Sequence, residues 1–439
     1  MGGKNMKRFA NYFLAGGALA LMAASSAQAG GFQRGSADTD ILFEKGTFSM
    51  RYGLTYVDPQ RGFTSINGQG GDFGDYTGAY QIPSVTVAFG GDDFSCAGSY
   101  VESFAAEADY TGSPGGALPQ QASSFVGTGG NIDDSDRTNL ATAASVSRTR
   151  SLSFKSNEFG ATCRVSYTND YGRFSLLGGV IAEDFHFEGS SFGTTFGVIP
   201  GVGKIPVAAT QIDVESDGGY KAGYRIGAAY EMPEIALRVQ AVYRSEIKHD
   251  DVEGDGTVTV LQSLVPGLPA GAVVPITSSL NEAISPQSLT INAQTGIAAD
   301  TLLLASFRWT DWSTNKSVIS SISNASLGIS SSSYSPYNWD DGYTASLGIG
   351  RAFNDKISGV VSLGYDSGVS TGSETTYTDL YTVSAGLSVK PENWAEIRLG
   401  GLIGFWSSGS QSVDEGAYFN GEVGDDMVYA GSASLKLSF

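Results

Sequence analysis

The sequence predicts an all-β chain, a transmembrane antiparallel β-barrel, and three observations carry that expectation. The C-terminal stretch alternates strictly and ends on an aromatic residue, the N-terminus carries an export signal, and alternating segments recur between them. The stretch Met427 to Phe439 is the cleanest. Tyr429, Gly431, Ala433, Leu435, Leu437 and Phe439 fall on one side of an extended chain, with Ser432, Ser434, Lys436 and Ser438 on the other. Successive side chains of a strand point to opposite faces, so this strand has one apolar and one polar face. Strands of a bacterial outer-membrane barrel need that pattern, apolar toward lipid and polar toward the lumen. Phe439 closing the last strand is the kind of signal read by the outer-membrane assembly machinery, an expected partner.

The other end agrees. Lys4, Lys7 and Arg8 form a basic n-region, Phe13 to Met22 is an apolar stretch broken by Gly16 and Gly17, and Ala27-Gln28-Ala29 is an A-x-A cleavage site. Residues 1–29 therefore read as a signal peptide, too short and glycine-rich for a membrane span. No later run reaches the ~18 to 20 apolar residues of a spanning helix. An exported chain of this kind is periplasmic, secreted or outer-membrane, and the alternation selects the bacterial outer membrane.

Composition narrows the function classes. The formal charge is −19, and loss of residues 1–29 removes three basic groups and no acidic one. Low positive charge argues against nucleic acid, whose binding rests on Lys and Arg neutralising phosphates. A mean hydropathy of −0.06 rules out a bundle of membrane helices. The 59 glycines, 21 tyrosines and 23 phenylalanines suit barrel strands, glycine where strands bend and aromatics in the interfacial girdles. The acidic excess reads as solvated loops, and its second reading is divalent-cation bridging to lipopolysaccharide. No cofactor and no metal site are expected, and the barrel is expected to be a monomer.

Strand-like alternation recurs in order along residues 48–439. Phe48, Met50, Tyr52, Leu54 and Tyr56 oppose Ser49, Arg51, Gly53 and Thr55. Val85 to Phe89, Phe94 to Tyr100 and Phe159 to Tyr167 repeat the pattern. Tyr220 to Tyr230 alternates against Lys221, Gly223, Arg225 and Gly227, and Ile235 to Tyr243 against Arg238, Gln240 and Arg244. Ala305 to Trp309, Tyr343 to Ile349, Val361 to Tyr365, Tyr381 to Val389 and Trp394 to Phe405 lead to the final strand. Weaker runs near Val146, Phe174, Thr257, Leu289 and Val318 bring the count to about 14 to 16 segments of the length a barrel uses.

Turn lengths set the orientation, since such barrels have short periplasmic turns and long extracellular loops. Glu231 to Glu234, Phe353 to Lys356 and Pro391 to Asn393 are tight, hence periplasmic. Long insertions near residues 103–143, 184–216, 246–285 and 323–340, with a further loop at 58–79, are expected outside. Two of these loops are apolar, one with Phe192, Phe196, Val198 and Ile199, the other with Leu261, Leu264, Val265 and Leu268. An exposed apolar patch tends to mark a binding surface. The competing reading is that these side chains pack on one another to close the barrel mouth.

Arg51, Arg164, Arg225, Arg238, Arg244 and Arg308 all oppose lipid-facing residues in phase and should project inward. They either pair with lumenal acids or meet a substrate carboxylate, which the arginine fork suits. Cys96 and Cys163 lie in the lipid-facing phase of strand-like segments. They bridge if the pairing brings their Cα atoms within ~7 Å.

Several runs resemble the FadL/TodX family of outer-membrane transport proteins. They are Pro233 to Val239 continued by Tyr243 to Ile247, Gln294 to Ala298 followed by Phe307 to Ser313, and Tyr343 to Gly350 running to Phe353 to Lys356. Gly31-Phe32 and Tyr56 to Arg61 are similar to family members whose N-terminal segment is short. The resemblance implies about 14 strands, a plug at residues 30–47 inside the lumen, and import of long-chain fatty acids or other hydrophobic small molecules. The plug's Asn-Pro-Ala signature is absent from residues 30–47. On this reading Arg238 and Arg308, which carry the family-like runs, are candidates for the substrate carboxylate.

Other constellations are weak. His186 and His249 are the only histidines, both read as loop residues, and no Ser-His-acid arrangement on a strand argues for an enzyme. Asp251 to Gly256 resembles the start of a calcium loop, but Gln262 stands where the bidentate Glu belongs, so an acidic turn is the plainer reading. The competing function class is an adhesin or structural receptor barrel without transport.

Overall fold

A computed structural model describes residues 31–439 apart from 45, 67, 111–147, 200–202 and 418–419, so the proposed signal peptide lies outside the described residues. Fourteen antiparallel strands close into a barrel. They are β1 (Phe48–Gln60), β2 (Tyr80–Gly90), β3 (Phe94–Asp109), β4 (Arg148–Asn169), β5 (Gly172–Glu183), β6 (Lys221–Met232) and β7 (Leu237–Arg244). The others are β8 (Ser288–Ala298), β9 (Thr301–Thr310), β10 (Gly342–Ala352), β11 (Ile357–Asp366), β12 (Leu380–Glu392), β13 (Ala395–Trp406) and β14 (Asp426–Ser438). β14 pairs with β1 from Ser49↔Ser438 to Gln60↔Met427, which closes the ring. Phe439 finishes the seam, accepting from Thr47 N at 3.0 Å and donating its N–H to Phe48 O at 2.8 Å.

Side chains divide as the alternation predicts. Leu176 and Leu363 are 71% and 64% exposed on the outer wall, whereas Arg164 and Lys436 are 1% and 5% exposed inside. Aromatics form rings at both ends of this belt. Phe174 with Tyr230 and Trp394 with Phe439 lie at the end of the tight turns, and Tyr100 with Phe159 and Tyr365 with Tyr381 toward the other. The belt and its girdles place the barrel in the bacterial outer membrane. The tight turns 91–93, 170–171, 233–236, 299–300, 353–356 and 393–394 are then periplasmic. Two of them use left-handed backbone, at Ala236 (φ 53°) and Asp300 (φ 57°).

The insertions at 184–216 and 246–285 are strands, which corrects the loop reading. His186–Ile199 pairs with the upper part of β4, and Gly203–Asp217, Val252–Ser263, Val273–Leu280, Ser317–Asn324 and Ile329–Pro336 follow in one continuous sheet. Each lies above the barrel strand it precedes or follows in the chain, so the wall from β4 to β10 rises into a crown. The weak runs near Thr257 and Val318 belong to this crown, and the acidic stretch from Val252 is one of its strands. Phe187, Val252, Leu280 and Ala283 are buried together on one crown face. The crown gains backbone pairing that a water-facing loop would lack.

Residues 31–47 run down the lumen. Phe32 O accepts from Ala105 N and Arg34 N donates to Ser103 O near the top of β3. Lower on the same strand Ser95 Oγ donates to Leu42 O. The turn Asp40–Phe43 buries Ile41, Leu42 and Phe43 against Ala88, Ala97, Leu177 and Ala229, small enough to admit it.

Cys96 and Cys163 face each other across β3 and β4 and form a disulfide, with Cα atoms 4.0 Å apart. It joins strands whose chain connection lies at the opposite, extracellular end. Purified, unreduced protein should show no free thiol on denaturation. Replacing both cysteines with serine should lower unfolding stability by about 2 to 4 kcal/mol, measured as the denaturant midpoint of the heat-modifiable gel shift.

Candidate functional site

The lumen holds two storeys of different chemistry, stacked along residues 31–47. The upper storey is aromatic. Phe32 sits among Phe104, Trp312, Trp339, Tyr377 and Trp406, all buried, with ring centroids 4.7 Å from Trp339 and 5.7 Å from Trp312. Gly31 is required here, because a Cβ would stand 2.7 Å from Trp312 Nε1 and its φ is +69°. Beside Phe32 a cavity of about 60 Å³ is lined by Tyr80, Leu380, Trp406 and Val428, with Arg34 at its edge. The Arg34 guanidinium stacks 3.0 Å over the Tyr80 ring and donates Nε–H to Ala105 O.

The lower storey is polar. A cavity of about 180 Å³ lies between residues 33–40 and a wall of hydroxyls and guanidiniums that includes Thr55, Thr290, Ser306 and Thr344. Five of the six inward arginines are committed to carboxylates. Arg51 pairs with Asp38 and Glu44, and Arg225 reaches Glu158 at 2.5 Å. Arg244 joins Glu158 at 2.8 Å to Glu183, while Arg164 and Arg173 share Glu231. Arg238 bonds Asp40 at 3.2 Å and lies over the Phe43 ring. A buried charge must be paired to persist, so the Arg51 and Arg238 pairs hold residues 38–44 in the lumen, while the others tie wall strand to wall strand. Glu44 completes the set with Lys436 at 2.5 Å.

Arg308 differs. Its Nε donates to Thr290 Oγ1 at 2.8 Å and its Nη2 to Ser36 Oγ at 3.2 Å, while Nη1 is buried with no acceptor. Among the described residues no carboxylate lies within salt-bridge distance of it. Thr290 and Thr344 stand directly opposite it on β8 and β10, and the Thr344 hydroxyl is also buried without a partner. The Arg308 Nη1–H and the Thr344 hydroxyl thus face one cavity, where a solute oxygen or a water can accept from them.

The structure therefore separates Arg238 from Arg308, which the alternation treats alike. It also places the two apolar segments side by side, Phe192 and Thr259 both opposite Gln211, rather than across the mouth from one another. Phe192 lies under the Arg150 guanidinium on the crown's polar face. Leu264 is exposed at a hairpin end, and Leu261 and Leu268 are half-buried. The side chains of Phe196, Val198 and Ile199 lie outside the described residues. The aromatic storey was missed by alternation because Trp312 and Trp339 lie beyond strand ends, where phase is lost. Four of the chain's five tryptophans, Trp309, Trp312, Trp339 and Trp406, lie at or just beyond extracellular strand ends, and that is the signal that points there.

No protein-family model and no curated protein matches the sequence. Solved structures do match over nearly the whole chain. A Pseudomonas aeruginosa FadL homologue superposes with a TM-score of 0.66 at 14% identity, covering 95% of this chain and 98% of that one. The P. putida toluene transporter TodX gives 0.62 at 15% identity, covering 94% and 96%. The monoaromatic hydrocarbon channel CymD gives 0.62 at 13%, covering 91% and 90%. At these identities the likeness speaks for architecture, and the chain has the fold of the FadL/TodX outer-membrane channels.

Proposed function

We propose that the chain is a passive outer-membrane importer of hydrophobic compounds, with long-chain fatty acids as its solute. The unpaired Arg308 carries this reading. It stands below an aromatic chamber suited to an alkyl chain and beside a hydroxyl-lined cavity suited to a carboxylate. Ligand sites are commonly apolar with a few placed polar groups, which describes the two storeys together. The structures it resembles are channels for toluene and other monoaromatic hydrocarbons as well as a FadL homologue. The aromatic storey suits either solute, whereas Arg308 favours an acid. The apolar crown residues Phe192, Phe196, Val198, Ile199, Leu261, Leu264 and Leu268 are the proposed capture surface. Burial of methylenes at ~0.8 kcal/mol each supplies affinity without a strong polar anchor. An adhesin or receptor barrel would leave fatty-acid uptake indifferent to all of these residues.

Labelled oleate uptake in a deletion strain carrying this chain tests the reading. Arg308→Ala should weaken oleate binding by about one to two decades, the cost of a charge-assisted bond of ~1.5 to 3 kcal/mol, with heat-modifiable mobility retained. Arg238→Ala should instead loosen residues 38–44 and raise leakage of small polar solutes. Oleate binding untouched by Arg308→Ala would remove the carboxylate assignment.

Capture is tested separately. Phe192→Ser combined with Leu264→Ser should depress oleate uptake most at limiting concentration, where capture controls flux. Equal uptake by variant and parent, at equal surface expression, would confine those residues to packing.

A further inference from the structure

The crown's polar face has a register that sets acids against acids. His186, Asp217 and Glu253 stand directly opposite one another on three neighbouring strands, and the next row holds Glu188, Glu215 and Asp255. Like charges directly opposite on a sheet destabilise it, so two successive carboxylate pairs in one row call for a cation. His186 is the group within reach. Its Nδ1 lies 2.7 Å from Asp217 Oδ1, and its Nε2 lies 3.0 Å from Glu188 Oε1 and 3.8 Å from Glu215 Oε1. Lys155, opposite His186 on β4, turns to Glu102 at 3.7 Å.

We propose that His186, Glu188 and Glu215 form a site for a first-row divalent transition ion, Zn²⁺ before others, with Asp217 as its positioning residue. The donor set is one imidazole and two carboxylates, with donor atoms all within 4.8 Å of one another. Metal–ligand bonds of about 2.0 to 2.2 Å place neighbouring donors roughly 3 to 3.6 Å apart, so small side-chain rotations complete the triangle. Both ring N–H groups of His186 donate to carboxylates, Nδ1 to Asp217 and Nε2 to Glu188. An ion arriving at Nε2 would displace that proton to solvent and leave the Nδ1–H bond to Asp217 in place, as the outer partner of a metal-bound histidine does. An imidazole in the set favours a transition ion over calcium, which takes oxygen ligands alone. All three donors stand on paired strands, Glu188 directly opposite Glu215 and His186 two residues from Glu188 on the same face. The scaffold is therefore rigid, and positions remain open for water. The bound ion would tie His186–Ile199 to Gly203–Asp217 where the crown leaves the barrel wall. It would also screen the row that runs on to Asp255.

Full-length protein purified in detergent and stripped with EDTA should be titrated with Zn²⁺, Mn²⁺ and Ca²⁺ by calorimetry. One Zn²⁺ per chain is expected, with Ca²⁺ at least tenfold weaker. Asp217→Asn should lower Zn²⁺ affinity about 10- to 100-fold, and His186→Ala should abolish the binding step. Glu188→Gln, which relieves repulsion, should fold and still lose affinity, which keeps the test valid if His186→Ala fails to fold. Hydrogen exchange in residues 186–192 should slow on Zn²⁺ addition in the parent only. Calcium binding as tight as zinc, or zinc binding unchanged in Glu188→Gln, would reduce the row to a screened acidic surface and overturn the site.

Discussion

The structure depends on one constraint: a backbone crossing hydrocarbon must satisfy every N–H and C=O within the protein. A sheet meets it by closing, and the pairing of β14 with β1 is where this chain does so. Closure then dictates the alternation, because each strand has one face in lipid and one in the lumen. A lumen walled by polar residues creates a second problem. Its guanidiniums are removed from bulk water and need counter-charges.

Residues 38–44 supply part of the answer. Asp38, Asp40 and Glu44 bring carboxylates from outside the barrel strands to Arg51, Arg238 and Lys436. The wall itself supplies Glu158, Glu183, Glu231 and Glu396. The N-terminal segment is thus as much a counter-ion as an obstruction. That explains how it stays in place without an Asn-Pro-Ala signature: ion pairs from Asp38, Asp40 and Glu44 to the wall hold it. Arg308 lies outside this arrangement, because the segment offers it only Ser36.

Strand positions and inward arginines were legible because the period of a strand is two and lipid enforces it. The crown was not, for two reasons. Its inner face is built partly from glycine and serine, as at Gly189, Ser216 and Gly254, so the apolar signal is diluted. Its glycines and prolines also read as loop punctuation, and water on the outer face permits acids where lipid would not. The distinction between Arg238 and Arg308 was illegible for another reason. Both have the same phase, and what separates them is a carboxylate from a distant segment, Asp40, which no local pattern announces. The fold was written in local periodicity, and the candidate site lies in long-range charge pairing.

β4 runs unbroken for 22 residues from the crown into the membrane. At ~3.3 Å per residue that is a rod of about 70 Å, against an apolar band ~25 Å tall. Below the bulge at Arg150 near its upper end, such a member runs without a joint to the periplasmic face. A load applied to the crown, by a binding particle or by crowding sugars, would pass into the wall as shear along the hydrogen bonds β4 shares with β3 and β5. Cys96 and Cys163 rivet the β3 side of that rod near its far end. The chain is therefore built like a cantilever clamped at its root, and the root is the one place where it has a covalent fastening.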